Sequence, residues 1–160
     1  MKFAVITHVQ HVKRQNDYYG YAPYIREMNI WLQYVDEVVI VAPIVEKELN
    51  PIHEKYCHPN ITFNKVNEFN ITSASNIIKT IFRLPMIFIT VYKAMSKADH
   101  IHLRCPGNMG LIGALIQILF PKKNKTAKYA GNWDPKAKQP FTYKLQRWIL
   151  SNIFLTKNMQ

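Results

Sequence analysis

Two kinds of hydrophobic pattern alternate along this chain. Short apolar runs rich in β-branched residues are typical of strands that are buried on both faces of a parallel sheet. Five such runs are found, at Phe3–Val9, Val38–Ala42, Ile61–Val66, Ile101–Leu103 and Thr126–Ala130. A sixth short run, Ile153–Thr156, is a candidate for one further strand.

Between these runs, apolar residues recur every three to four positions, which is the spacing of an amphipathic helix. Helices are expected over Pro23–Val35, from Ser75 or Asn76 to Lys97, over Leu111–Leu119 and over Phe141–Leu150. Pro23 suits the first turn of its helix, whereas Pro85 should kink or break the second helix. A long polar loop, Gln10–Ala22, follows the first strand.

Strands that alternate with helices predict an α/β fold, with a Rossmann-like, doubly wound parallel sheet in a single domain. The expected strand order is 3-2-1-4-5. The length of 160 residues is enough for one domain with a substantial core.

The charge is unevenly distributed. The net charge is +11, and residues 121–160 contain nine basic residues and one acidic residue. Phe141, Tyr143 and Trp148 lie among these charges, a mixture that suits an anionic membrane surface. The alternative is a solvated face that keeps the domain soluble. Nucleic acid is not an expected partner, because no nucleic-acid-binding motif accompanies the charge.

Other sequence features restrict the compartment and the cofactors. No signal peptide and no bilayer-spanning run is visible, and Cys57 and Cys105 do not suggest a disulfide framework. We therefore expect a cytoplasmic protein, peripheral at the inner face of the membrane if the basic segment binds lipid. The chain contains neither a G-x-G-x-x-G fingerprint nor a Walker A motif, so no cofactor is expected. His100 and His102 share one face of a strand, but nothing completes a metal-ligand set, and no metal is expected.

Polar residues follow the ends of the last two main strands. In open α/β sheets, ligands bind beyond the carboxyl ends of the strands. Arg104, Asn108, Asn132 and Trp133 are therefore expected on the binding edge. A guanidinium beside a helix start suits a phosphate or carboxylate, although Arg104 could instead form an ion pair with a nearby acid.

The first strand and its loop provide the remaining candidates. His8 ends the strand and could act as a general base, since the pKa of histidine lies near neutrality; a histidine satisfied by backbone hydrogen bonds is the alternative. Tyr18, Tyr19 and Gly20 lie in the following loop, where aromatic faces suit a sugar ring or lipid, although such loops are often plain surface.

Two of these segments resemble a known family. Leu103–Asn108, which precedes a helix of small residues, and Tyr129–Trp133, which ends the next strand, are similar to the N-terminal domain of GT-B glycosyltransferases. The similarity is greatest to the family 4 / group 1 enzymes of bacterial surface-polysaccharide synthesis. Relatives often have a glycine pair in the first loop, whereas Gly20 stands alone here.

The resemblance implies two Rossmann-like domains with a cleft between them. The N-terminal domain would take a lipid-linked or saccharide acceptor, and a C-terminal domain would bind the nucleotide-sugar donor. Because the chain stops at Gln160, we expect residues 1–160 to be the acceptor-side half, with the donor domain absent and no activity alone. His8 would lie near the acceptor hydroxyl, and Tyr18, Tyr19, Gly20, Arg104, Asn108, Asn132 and Trp133 would line the acceptor side. A non-enzymatic binding or regulatory subunit that partners a separate donor-domain protein is the alternative, and a flavodoxin-like or nucleotide-binding module is a third.

Overall fold

A five-stranded parallel sheet forms the centre of the protein. The computed structural model describes residues 1–67, 74–134 and 136–160, and the side chains of the second helix from residue 83 onward. The sheet contains β1 (Lys2–Ile6), β4 (Glu37–Pro43), β6 (Ile61–Val66), β7 (His100–Cys105) and β8 (Asn124–Tyr129). Its spatial order is β6-β4-β1-β7-β8, and every pairing is parallel. The predicted order 3-2-1-4-5 is confirmed, and the chain is an α/β domain of Rossmann-like, doubly wound type.

Helices cover both faces of this sheet. Helix α1 (Ala22–Leu32) packs on one face, against side chains such as Phe3, Val5 and Ile40. The other face is covered by α2 (Ala74–Lys97), α3 (Asn108–Ile116), a turn of 3₁₀-helix after α3 and α4 (Phe141–Ser151). Alternate residues of each strand face different helical layers, because successive side chains of a strand point to opposite faces of the sheet. The uninterrupted apolar runs of the sequence reflect this two-sided burial.

A second, smaller sheet is formed mainly by the segment that the sequence predicts as a polar loop. Strands β2 (His11–Arg14) and β3 (Asp17–Tyr21) form an antiparallel hairpin, and β5 (His53–Lys55) pairs with β3. Its turn includes Gln15, whose φ is 51°. The hairpin packs on the α1 side through Tyr18, whose ring stacks on Phe63 of β6 at 4.5 Å. The polar composition of these strands concealed them, since only part of each strand is buried.

Three local predictions were wrong. Strand β1 ends at Ile6 rather than Val9, because the Val9 N–H donates to Thr7 Oγ1 at 3.1 Å and the chain turns. Pro85 does not break α2, since the row of buried side chains that follows it packs in the sheet core and offsets the missing backbone hydrogen bond, while the alternative of a kink stays a prediction. Residues 153–156 form a turn in which Asn152 accepts the Phe154 N–H at 3.0 Å.

Candidate functional site

The candidate site lies at the carboxyl edge of the sheet, where its winding reverses. The chain moves outward from β1 through β4 to β6, and then returns to the other side of β1 at β7. The crevice between the ends of β1 and β7 is therefore the switch point, the usual ligand position in such sheets. His8 follows β1, and Gly107 and Asn108 follow β7 at the start of α3.

His8 lies against the backbone of Gly107. A Cβ atom added to Gly107 would be 2.8 Å from His8 Nδ1, so the imidazole occupies the space that a side chain would need. Desolvation and the nearby Arg104 guanidinium lower the pKa of His8, and a hydrogen bond to the backbone of Arg104 opposes them. The imidazole is therefore neutral at pH 7 and can accept a proton. His8 is exposed and also hydrogen-bonded to the backbone of Arg104, and its role as a general base stays a prediction.

Gly107 precedes α3 in a backbone conformation that favours glycine, with φ 154° and ψ 168°. The peptide bond between Cys105 and Pro106 in the same turn is cis. The carbonyl of Gly107 accepts hydrogen bonds from the Leu111 N–H at 2.9 Å and from Gln146 Nε2 at 3.0 Å. Gln146 is fully buried on α4, so α4 fixes the turn that faces His8.

Arg104 forms the ion pair that the sequence left open as an alternative to ligand binding. Its Nη1 lies 3.4 Å from Glu27 Oε2 of α1, and both side chains are about four-fifths buried, at 18% and 21% exposure. The other carboxylate oxygen of Glu27 contacts Lys128 of β8. The Arg104 guanidinium also lies 5.5 Å from the centre of the Tyr24 ring. One carboxylate thus faces two cations, which leaves positive charge at this edge.

The hairpin places Tyr18, Tyr19 and Gly20 on the other side of the switch point. Tyr18 and Tyr19 are half-buried, and Tyr18 packs on β6, at the far end of the sheet from β8. A Cβ on Gly20 would lie 2.9 Å from the Ile25 side chain, so the missing side chain lets the hairpin approach α1. Close packing of the hairpin against α1 therefore accounts for a glycine at position 20, and the predicted role of Gly20 in acceptor binding stays a prediction.

Asn132 and Trp133 lie in the exposed segment after β8. The Trp133 indole packs edge-on against Tyr129, with ring centres 4.9 Å apart, and stays 47% exposed. Asn132 Oδ1 accepts the Asp134 N–H at 2.9 Å, and the Asn132 carbonyl accepts Gln139 Nε2 at 2.5 Å. Gly131 lies against Pro106, which connects this segment to the turn before α3.

Contacts in the structure join only part of the predicted set of site residues. His8 and Arg104 meet the turn that contains Gly107 and Asn108, and the segment with Asn132 and Trp133 adjoins that turn. Tyr18, Tyr19 and Gly20 pack over β5, β6 and α1 instead. A single concave region that includes both groups stays a prediction.

Sequence reasoning missed the polar residues behind the edge. Glu27 stands three residues after Tyr24 and next to Met28, on the predicted apolar face of α1, and a charge at such a position signals a buried partner. His11 is fully buried, its Nε2 lies 3.0 Å from the Tyr56 hydroxyl, and burial lowers the pKa of His11 to about 4. No comparable pattern marked His11, because it lay in the predicted loop.

His100 and His102 share a face of β7, and both contact one hydroxyl. Their rings lie 3.1 and 2.9 Å from Thr126 Oγ1 on β8. Burial lowers the pKa of His102 to about 3. Across the described ranges, no group of three or more His, Cys, Asp and Glu side chains is arranged to hold a metal ion.

Several lysines of the basic C-terminal quarter have partners inside the protein. Lys123 Nζ donates to three backbone carbonyls at and after the end of α2, at 2.5 to 2.7 Å. Lys125 is buried and donates to the Lys157 carbonyl at 2.8 Å, while Lys128 pairs with Glu27. These three lysines stabilise the fold, whereas Lys122 is exposed.

Comparisons with known proteins identify no family. No protein-family model and no curated protein matches the sequence. A solved structure that resembles the chain is the UDP-GlcNAc 2-epimerase from Methanocaldococcus jannaschii, with 12% identity and a TM-score of 0.46. The similarity covers 99% of this chain and 41% of that one, so the chain spans less than half of that structure. In the part of the chain that the structure describes, no helix combines the length and apolarity needed to cross a membrane.

Proposed function

We propose that this chain is the acceptor-side domain of a glycosyltransferase and binds a saccharide or lipid-linked saccharide at the switch point. The observation that supports the proposal is the placement of His8. A neutral imidazole stands between the ends of β1 and β7, against the backbone of Gly107. Transfer to a sugar hydroxyl needs a group that accepts its hydrogen bond or proton, and a neutral histidine does so at pH 7.

The neighbouring groups suit a sugar rather than a nucleotide. Trp133 is half-exposed on the segment beside the turn, and an aromatic face packs well against the apolar face of a sugar ring. Arg104 and Lys128 share one carboxylate, so a phosphate of a lipid carrier is attracted to this edge. The chain contains no glycine-rich phosphate loop. A nucleotide-sugar donor is therefore expected to need a second domain, and the 160 residues alone should not transfer sugar.

The test is a titration of the ¹⁵N-labelled chain followed by amide shifts. The probes are a saccharide panel, a short-chain polyprenyl-phosphate sugar, and nucleotide sugars that include UDP-GlcNAc. We expect the saccharide or lipid-linked probes to shift Gly107, Asn108 and the Trp133 indole. His8→Gln should weaken that binding about five- to tenfold, because one hydrogen bond contributes about 1 kcal/mol. The matched control His53→Gln, on β5, should bind as the unmodified chain does.

Two results would contradict the proposed acceptor site, and a third would contradict the division into two domains. Binding of a nucleotide sugar at this edge, with no response to any saccharide, would assign the chain to the nucleotide-binding modules. Absence of an amide shift with every probe would show that this edge binds no acceptor. Sugar transfer by the purified chain alone, measured with the same probes, would refute the division between two domains while leaving the acceptor site intact.

A further inference from the structure

The two helical faces of the protein differ sharply in charge. Helices α2, α3 and α4, which contain 24, 9 and 11 residues, pack on the same face of the sheet. Their sequences contain six lysine or arginine residues and no aspartate or glutamate. In contrast, seven of the ten acidic residues lie between Asp17 and Glu54, the segment that contains β3, α1, β4 and β5. The charged residues of the three helices on this face of the sheet are therefore all positive.

The same side exposes large apolar residues next to lysines. On α2, Met86 and Ile89 are 74% and 53% exposed, and Lys93 follows one turn later. On α4, Phe141 and Trp148 are 76% and 59% exposed, and Lys144 lies between them. The spacing of three, four and seven residues places each set on one stripe of its helix. We call these six residues the α2–α4 face.

The turn after α4 extends this surface. Phe154, in that turn, is 84% exposed, the highest exposure among the large apolar side chains that the structure describes. Isolated apolar residues are common on protein surfaces, but contiguous stripes flanked by lysines mark interaction sites. Neither Lys93 nor Lys144 has an ion-pair partner among the described residues. Both charges are thus available to a partner.

We propose that the α2–α4 face binds the anionic surface of a lipid bilayer, with both helices lying in the interface plane. Apolar side chains that penetrate the headgroup boundary, next to lysines that contact anionic lipid, are the features of interfacial helices. Nucleic acid fits less well, because Met86 and Ile89 cannot stack on bases as aromatic rings do. The α2–α4 face does not include Lys123, Lys125 and Lys128, whose side chains have partners inside the protein. This inference is independent of the sugar site.

The experiment is vesicle flotation of the full chain at low and high salt. The vesicles contain phosphatidylcholine alone or with one quarter phosphatidylglycerol. We expect binding only to the anionic vesicles, and weaker binding as salt increases. Lys93→Gln with Lys144→Gln should weaken binding roughly twenty-five-fold, since each lysine contributes about fivefold. Trp148→Ser with Phe154→Ser should weaken it at least about tenfold at both salt concentrations.

The opposite face provides a matched control. Ile30 and Tyr34, on and just after α1, are 62% and 77% exposed, so Ile30→Ser with Tyr34→Ser removes similar apolar area and should leave binding unchanged. Thermal unfolding followed by circular dichroism verifies that each variant is folded. As a second measurement, brominated lipid should quench tryptophan fluorescence in the unmodified chain and less in Trp148→Phe.

Four outcomes would overturn the proposal. They are equal binding to neutral and anionic vesicles, no binding at low salt, and an equal loss in the α1-side control. The fourth is tighter binding of an RNA oligonucleotide than of vesicles, with the same lysine dependence. That result would show that the face recognises charge rather than lipid.

Discussion

Gly107→Ala should disturb both the stability of the protein and the position of His8. Gly107 has φ 154° and ψ 168°, a region that only glycine occupies readily, and such strain costs about 1–3 kcal/mol. The added Cβ would also lie 2.8 Å from His8 Nδ1 and 3.0 Å from His8 Cγ. The ring must rotate away, at about 0.5–1.5 kcal/mol. The free energy of unfolding should therefore fall by roughly 2–4 kcal/mol in total.

The structure separates these two contributions. The same Cβ would be 3.4 Å from His8 Cβ, which is ordinary contact, so His8→Ala removes the overlap and leaves the backbone strain. In the His8→Ala background, Gly107→Ala should cost only about 1–3 kcal/mol. The double-mutant cycle should thus show a coupling of about 1 kcal/mol between the two positions. Urea unfolding of the four proteins measures it.

Gly113→Ala is the matched control for this cycle. A Cβ at Gly113 would lie 2.7 Å from Leu103 Cδ2 and would not meet His8. It should destabilise the protein, but without coupling to His8→Ala beyond about 0.3–0.5 kcal/mol. The reasoning fails if Gly107→Ala costs less than about 0.5 kcal/mol, or if its cost is the same with and without the imidazole.

Two further predictions concern buried cations and histidines. Burial lowers the pKa of His11 to about 4 and of His102 to about 3, whereas both titrate near 6.5 when unfolded. The unfolded state binds more protons below that pH, so the unfolding free energy should fall from pH 6.5 toward pH 4, by up to roughly 3 kcal/mol per histidine. Urea unfolding at several pH values measures this fall. An unfolding free energy that does not change over this pH range would contradict the prediction. Lys125→Ala should cost about 1–3 kcal/mol, because it leaves the Lys157 carbonyl without its donor, while Lys122→Ala should cost less than about 0.5. Equal effects of these two substitutions on the thermal midpoint would refute the structural role of Lys125.

The pattern of apolar residues determined the main sheet and its helices. Val39 and Val41 face one helical layer while Val38 and Ile40 face the other, so the whole run is apolar and readable as a buried strand. Helices α1, α2 and α3 connect β1 to β4, β6 to β7 and β7 to β8, which restricts the topology to a few doubly wound arrangements, whereas β4 connects to β6 without a helix. The hairpin of β2 and β3 gave no such signal, since it is partly exposed and mainly polar.

The candidate site was predictable only in outline. The rule that ligands bind beyond strand carboxyl ends placed Arg104 and Asn108 at the edge, because strand direction follows from the topology. That rule does not predict the ion pair between Arg104 and Glu27, which is 77 residues away in the chain. It also placed Tyr18 in a free loop, whereas Tyr18 stacks on Phe63.

The sequence by itself thus determined the five main strands and the helices, because burial on one or two faces of an element produces a local periodicity of apolar residues. Only the tertiary structure decided the partners of the polar side chains. Glu27 meets Lys128 from 101 residues away, and Lys125 is buried against a carbonyl of the C-terminal segment. A charged residue looks the same in the sequence whether it faces water or a distant partner. Its environment is set by how separate elements pack together, and local pattern does not encode that.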